Sequence, residues 1–346
     1  MLIRPVQVAD LPAMERMAIA SGIGVTNLPD NRETLFERIR LSAHSLESDV
    51  AIHGPEFYQF VLEIDDEIVG TAAIAASAGF SEPFYSYRNE TLVHASPSLK
   101  VYNRIHALTL CHDLTGESQL CAFFLDQAAR HYSGASELLS KSRLLFMANH
   151  PERFSERVIA EMVGFCDENE RSPFWDAIAR KFFNMEYRDA QYLIGTRNKT
   201  FVAELMPSYP IYVSLLPDDA QHVIGQIHPD AELAFSLLTD EGFESENYLD
   251  IFTGAPALTA KLSHLRSVTH SETARVEIST LRPGGIEPCL VCNTLIQDFR
   301  ASFAGVILRE GTIWLTPALA DALLVQAGDR VRVTRLSSVK MELVPC

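Results

Sequence analysis

Residues 225–229 read Gly-Gln-Ile-His-Pro, and they set an imidazole directly before a proline that opens an amphipathic stretch closed by Gly242. Proline is favoured at the first position of a helix, because its fixed φ suits the helix and its missing N–H was an orphan donor anyway. His228 is therefore the expected N-cap, although the preferred caps are Ser, Thr, Asp and Asn. The positive end of a helix favours the neutral form of an imidazole, and a neutral imidazole can accept a proton near pH 7. Such a group serves acyl transfer to an amine: the ammonium must lose a proton before attack, and the leaving group must gain one. Histidines are more often structural or exposed, so the residues alone leave His228 as either a cap or a general acid/base.

A second candidate lies between Leu120 and Leu139, where a short apolar run enters a loop containing Arg130, Ser133, Gly134 and Ala135, followed by a helical stretch. Successive backbone N–H groups in a loop of small residues, together with a helix N-terminus, can hold an anion such as a pyrophosphate. The loop is neither a P-loop nor a Gly-x-Gly-x-x-Gly fingerprint, so an ordinary glycine-containing β-α turn is the plainer reading of these residues taken alone. Arg88, Asn89 and Glu90 form a polar cluster. Arg88 could grip a carboxylate bidentately and Glu90 could answer a cation, while a turn-stabilising surface role is the ordinary alternative. Glu161 sits mid-strand in Val158–Phe165, where an outward charge is the simpler reading and an inward one would bind a cation. His94, His106 and His112 could line a pocket or cap turns, and Phe174 and Trp175 read as core.

The elements that must position these groups follow from periodicity. The chain opens strand, helix, helix, then a hairpin around Asp65-Asp66, and resumes at Leu120 as strand, loop, helix and strand. The helix after His228 ends at Gly242 and leads into a further strand, Glu246–Phe252. Two insertions, residues 79–117 and 167–225, interrupt this first unit, which spans residues 1–255. Residues 256–346 read as short strands with one short helix before the Gly328-Asp329 turn, the pattern of a small barrel.

Composition removes several function classes. The 346 residues carry 29 Lys and Arg against 45 Asp and Glu, a net charge of −16 with no basic stretch, which argues against nucleic acid and anionic membrane as partners. No apolar run approaches the roughly 20 residues needed to cross a bilayer. Pro5 and Asp10 interrupt the N-terminus too early for a signal peptide. Six scattered cysteines form neither a disulfide framework nor, with Cys289-Leu-Val-Cys292 as their only close pair, a zinc site. The expectation is a cytoplasmic protein without a metal.

The order β-α-α-β-β, then a strand, an Arg-x-x-small-Gly-Ala loop and a helix, resembles the GNAT acyl-CoA N-acyltransferases. In that superfamily the strand before the loop splays, and a backbone N–H meets the thioester carbonyl. Here the splayed strand would run from Leu120 to Asp126, and "RHYSGA" carries serine where the usual first glycine stands. The blocks "SEPFYSYRNETLVHAS", "HDLTG", "LLSKSR", "SPFW", "AELMPSYPIY", "GQIHP" and "EGFESENYLDIFTGAP" make the chain similar to the arginine N-succinyltransferases, in particular to the alpha chain of the two-chain form. The resemblance implies an α+β fold: a GNAT-like domain with a mixed, splayed sheet flanked by helices, and an appended β-rich barrel-like domain. It further implies succinyl transfer from succinyl-CoA, a co-substrate rather than a resident cofactor, to the α-amino group of L-arginine and L-ornithine. By the same resemblance His228 takes the proton-donor role and Phe123 a succinyl-CoA contact. Leu125, Arg130, Ser133, Gly134 and Ala135 complete the expected CoA site, with Arg88 and Glu90 as substrate candidates. A homologous beta chain is an expected partner. Two alternatives stay open: a partner-dependent subunit, and an acyltransferase for another amine.

Overall fold

The first sixty residues already show how the main sheet is assembled. Strand β1 (Leu2–Pro5) leads into helices α1 (Leu11–Ser21) and α2 (Arg32–Glu47), then into the hairpin of β2 (Phe57–Ile64) and β3 (Glu67–Ala75). In α1 the buried residues Leu11, Met14, Met17 and Ala18 recur at helical spacing, one apolar stripe laid on the sheet. The Asn31 side chain accepts from Thr34 N at 2.9 Å and starts α2. The computed structural model describes residues 1–22, 28–196, 200–280 and 285–336.

The first insertion is a long hairpin, β4 (Ser86–Ser96) and β5 (Val101–Cys111). Strand β6 (Ser118–Leu125), helix α3 (Ala135–Asn149) and strand β7 (Arg157–Glu161) follow. The second insertion packs short helices α4 (Pro173–Ala177), α5 (Arg180–Phe183), α6 (Tyr187–Thr196) and α7 (Thr200–Leu205), a short strand β8 (Ile211–Tyr212) and α8 (Asp218–Val223). Phe174 and Trp175 are fully buried there, as expected, with Trp175 Nε1 donating to Met185 O at 3.1 Å. Helix α9 (Glu232–Glu241), β9 (Glu244–Leu249) and β10 (Pro256–Lys261) complete the first unit. Its strand order is β1-β2-β3-β6-β7-β10-β9-β4-β5-β8. Pro256–Lys261, which the sequence reading assigns to the second domain, pairs with β7 and β9 inside this sheet. The architecture is a mixed sheet flanked by helices.

After the short helix α10 (Arg266–Thr269) the chain builds β11 (Ser271–Ile278), β12 (Glu287–Asn293), β13 (Ala301–Arg309), β14 (Thr312–Leu315), helix α11 (Pro317–Ala322) and β15 (Arg330–Arg335). The order β12-β15-β11-β14-β13 closes on itself through β12–β13, so the expected barrel is present and leaves no open edge. It is attached to the first unit by one register pair, Ile3↔Ala301, by side-chain packing and by hydrogen bonds such as Arg332 Nε to Asn149 Oδ1 at 2.7 Å and Asn149 Nδ2 to Asn293 O at 3.0 Å. Phe299, before β13, joins Phe60 and Phe146 with ring centroids 5.4 and 5.1 Å away, an aromatic contact worth about 0.5–1.5 kcal/mol per pair beyond area.

His150 ends α3 at this interface, edge-on to Phe146, and its Nε2 is buried without a hydrogen bond. Burial pushes its pKa down to about 4, against a smaller upward pull from Glu152. The unfolded chain takes up this proton near pH 6.5, whereas the folded protein refuses it until about pH 4. The unfolded state therefore binds more protons in that window, and stability falls as pH drops through it, by a few kcal/mol at most. His150→Gln should flatten the acid limb of melting temperature against pH between 6.5 and 4. An unchanged limb would remove His150 from the account.

Candidate active site

Strand β6 is paired differently along its two edges. With β7 it runs parallel, and only Ser118↔Val158 and Gln119↔Ile159 are in register; beyond Gln119 that edge has no ladder partner among the described residues. With β3 it stays paired as far as Leu125↔Gly70, across a register shift between Thr71 and Ala73. At that shift Ala122 has φ 51°, a left-handed conformation that a residue with a Cβ adopts only when the surroundings impose it. A bulge of this kind bends the strand and re-aims its backbone. The two strands consequently open like a V, and between them lies a cleft of about 380 Å³.

Residues from β6, among them Phe123 and Leu125, line one wall together with Arg130 and with Ser140 and Arg143 of α3. No side chain caps α3, whose N-cap Gly134 has φ 85°; Ala135 N donates to Tyr132 O at 3.1 Å, and the next N–H groups of the first turn are placed as an anion would need them. Ser133, Gly134 and Ala135 stand outside the lining. Ser133 is exposed and Ala135 buried, while a Cβ at Gly134 would come 2.7 Å from Cε2 of Phe303 in the barrel. Gly134 thus answers to both its backbone angle and the barrel's close approach.

The opposite wall is the end of β7 and what is hung on it. Gly164 bridges Ile227, and His228 N donates to Val163 O at 2.8 Å, so the backbone of residues 227–228 extends the sheet alongside β7. His228 caps the 3-10 turn Pro229–Ala231, which runs on into α9, rather than one continuous helix. Its Nδ1 accepts from Asp230 N at 3.2 Å and lies 3.6 Å from Asp230 Oδ2, with the side chain 26% exposed. Nε2 has no partner among the described residues. Glu161 also lines the cleft, half-buried, with Gln119 Nε2 donating to its Oε2 at 3.4 Å. The simpler reading of Glu161 as an outward charge is overturned: β7 is covered on both faces here, so alternation does not send the carboxylate to solvent.

Charge divides the cleft. Arg130 and Arg143 lie on the β6–α3 wall, whereas Glu161 at the end of β7, Asp167 and Glu170 after it, Asp230 beside His228 and Asp250 after β9 lie on the opposite wall. Helix α6 adds Tyr187 and Gln191. Gln191 Nε2 donates to Tyr187 Oη at 2.8 Å, which leaves Gln191 Oε1 buried without a hydrogen bond. Burial raises the Cys166 thiol, and Glu170, Asp167 and Asp230 raise it further. A thiol held protonated is a poor nucleophile.

A model of the family described as arginine N-succinyltransferase beta subunit matches residues 1–267, and one of that subunit's C-terminal domain matches residues 272–335. The chain is 49% identical over 336 residues to the arginine N-succinyltransferase subunit alpha of Pseudomonas aeruginosa, covering 96% of this chain and 99% of that one. The chain belongs to the arginine N-succinyltransferase family. It is likewise 42% identical to the arginine N-succinyltransferase of Salmonella schwarzengrund, covering 97% of each chain. The solved structure of arginine/ornithine succinyltransferase subunit AI from Pseudomonas aeruginosa superposes with a TM-score of 0.89 at 46% identity, over 97% of this chain and 99% of that one.

In this member of the arginine N-succinyltransferase family, Arg88 and Glu90 are not in the cleft lining. They pair on the β4–β5 hairpin: Arg88 Nε donates to Glu90 Oε1 at 3.0 Å and Nη1 to Asp113 Oδ2 at 2.8 Å, while Glu90 accepts from Thr109 at 2.8 Å. His94, His106 and His112 are also outside the lining, and His106 Nδ1 meets Asn89 Oδ1 at 3.1 Å. Sequence reasoning missed Arg143 and Gln191. The signal for Arg143 was a lone charge inside "ELLSKSRLLFM", on a helix buried almost without break from Leu138 to Met147. Gln191 carried no such signal, because α6 belongs to an insertion that the sequence reading left unassigned. Among the described residues no group of three or more His, Cys, Asp and Glu is arranged to hold a metal, five cysteines are free thiols and no helix is long and apolar enough to cross a membrane. The sixth cysteine, Cys346, lies outside the described residues.

Proposed function

We propose that this cleft transfers the succinyl group of succinyl-CoA to the α-amino group of L-arginine, and of L-ornithine, giving the N2-succinyl amino acid and free CoA. The observation that carries this reading is the split of charge across one splayed-strand cleft. An anionic acyl donor fits the wall with Arg130 and Arg143, and a cationic amino acid fits the wall with five carboxylates and the unsatisfied Gln191 Oε1. The family membership supports the same pair of substrates.

The amine nitrogen attacks the thioester carbon, a C–N bond forms, and the C–S bond breaks as the tetrahedral intermediate collapses. Along the way the ammonium gives up two protons; one ends on the thiolate and the other reaches solvent. His228 carries the first. In the resting cap Nδ1 accepts from Asp230 N and the ring proton sits on Nε2. The working tautomer gives up that bond, carries its proton on Nδ1 toward the Asp230 carboxylate 3.6 Å away, and presents the Nε2 lone pair to the ammonium. The imidazolium then protonates the departing sulfur. The unpaired edge of β6 beyond Gln119 offers backbone N–H to the developing oxyanion. Phe123 and Leu125 pack against the acyl and pantetheine portion, while Arg130 and the α3 N-terminus hold the pyrophosphate. We place the enzyme in the cytoplasm on its cysteine usage.

The purified chain, given succinyl-CoA and arginine, is expected to release CoA thiol in proportion to arginine, with ornithine as a second acceptor. The subunit designation of the Pseudomonas relative makes a two-chain enzyme the competing reading. Turnover that appears only after a homologous second chain is added would establish that reading instead.

A further inference from the structure

One cation in the cleft wall is buried without a counter-charge. Arg143 is 2% exposed, and its three hydrogen bonds are long and go to neutral acceptors: Nε to Ser140 O at 3.4 Å, Nη2 to Ser140 Oγ at 3.4 Å and Nη1 to Ala73 O at 3.5 Å. Among the described residues no carboxylate stands within ion-pair distance of it. Two other sheltered arginines are held more closely. Arg4 pairs with Asp10 and Glu63, each at 2.8 Å, and Arg153 donates to Ser48 O at 2.7 Å and to Ser45 O and Tyr58 Oη at 3.1 Å. A buried charge with only weak partners is destabilising, and a fold keeps such a group where a ligand completes it. Burial pushes the Arg143 pKa down to about 10, which still leaves the guanidinium charged at neutral pH.

Its position narrows the ligand. The guanidinium carbon lies 5.5 Å from the centre of the Phe123 ring, and the carbonyl it touches, Ala73 O, belongs to the residue paired with Cys121 at the edge of the β6 bulge. The charge therefore sits where β6 bends away, at the place given above to the thioester and not at the pyrophosphate end of α3. An acyl group ending there in a methyl would leave the cation unpaired, whereas one ending in a carboxylate would pair it bidentately. We propose that Arg143 selects a dicarboxylic acyl donor by holding the distal carboxylate of the succinyl group, two methylenes from the thioester carbonyl. This rests on the succinyl-CoA reading.

The test compares kcat/KM for succinyl-CoA and butyryl-CoA, which share a four-carbon acyl chain and differ in the distal carboxylate, in wild type, Arg143→Met and Arg143→Lys. Wild type should prefer succinyl-CoA strongly, since a site built around a buried polar group rejects the analogue that cannot pair with it. In Arg143→Met the preference should fall by at least about 30-fold, and in Arg143→Lys by an intermediate factor. The methionine variant should melt no lower than wild type without ligand, because it loses an unpaired charge. If instead it proves insoluble, the lysine variant alone decides through the same ratio. A preference unchanged by substitution, or equal losses for both donors, would overturn the assignment while leaving succinyl transfer intact. A wild type that transfers no succinyl group would overturn both.

Discussion

His228→Ala should fold, bind CoA with wild-type affinity, and lose about 10²–10⁴-fold in kcat, the range for removing a positioned general acid/base. CoA affinity is expected to survive because the side chains assigned to it in the cleft, Arg130, Phe123 and Leu125, belong to the other wall. The fold is expected to survive because the attachment of residues 227–228 to β7 is made by backbone: the Gly164–Ile227 bridge and the His228 N to Val163 O bond do not involve the imidazole. What the ring contributes locally is one cap, Nδ1 accepting from Asp230 N at 3.2 Å, worth about 0.5–2 kcal/mol. His228→Asn separates the two roles, since asparagine is a good cap and cannot carry the proton. Equal loss of turnover in the alanine and asparagine variants, with a higher melting temperature for asparagine, is the expected pattern. Calorimetric titration with CoA and arginine-dependent thiol release measure it. Turnover near wild type in a folded asparagine variant would sink the proton-carrier role.

How far the sequence reaches can be seen residue by residue. The β-α-α-β-β opening, the strand–loop–helix around Arg130 and the closed C-terminal barrel were legible because each rests on short-range periodicity and turn chemistry. The splay of β6 was expected only through resemblance, since nothing local in "LCAFFLD" says that one edge keeps its partner and the other loses it. That is decided by the bulge at Ala122 and by β7 turning to β10. Boundaries suffered where a strand of the main sheet follows a break such as Thr253-Gly254-Ala255: Pro256–Lys261 is held by β7, about a hundred residues upstream, and no local signal reports so distant a partner. In the site, His228 and Arg130 stood out by neighbours in sequence. Arg143 and Gln191 acquire meaning from what surrounds them in space, one from a missing carboxylate and the other from an acceptor with no donor. Arg88 and Glu90 failed for the converse reason: their charges are spent on each other and on Asp113.

Gly164→Val should damage the enzyme nearly as much as loss of the imidazole, though the residue carries no chemistry. Gly164 ends the run Val158–Gly164, and its backbone angle would suit any residue; the constraint is space. A Cβ there would overlap Thr253 Oγ1 and Cβ and stand 2.9 Å from Ala255 Cβ. Thr253 cannot give way cheaply, because its N and Oγ1 donate to Asp250 Oδ2 at 2.7 and 2.6 Å, and Asp250 N is in turn bonded to Ala255 O at 2.8 Å. The 250–255 turn is a closed knot, so the strain passes to the other neighbour, the bridge to Ile227. Moving that segment moves His228 relative to β6. Overpacking of this kind destabilises by about 1–3 kcal/mol, and a misplacement of about 1 Å at a reacting group can cost about 10²-fold in rate. The expected result is a protein that melts lower and turns over about 10²-fold more slowly while retaining CoA affinity. Gly164→Ala should show the same changes in smaller measure, and pairing Gly164→Ala with Thr253→Ala should recover part of the rate by removing one of the overlapping side chains. Normal turnover in Gly164→Val would mean that the contact with Thr253 does not control where His228 stands.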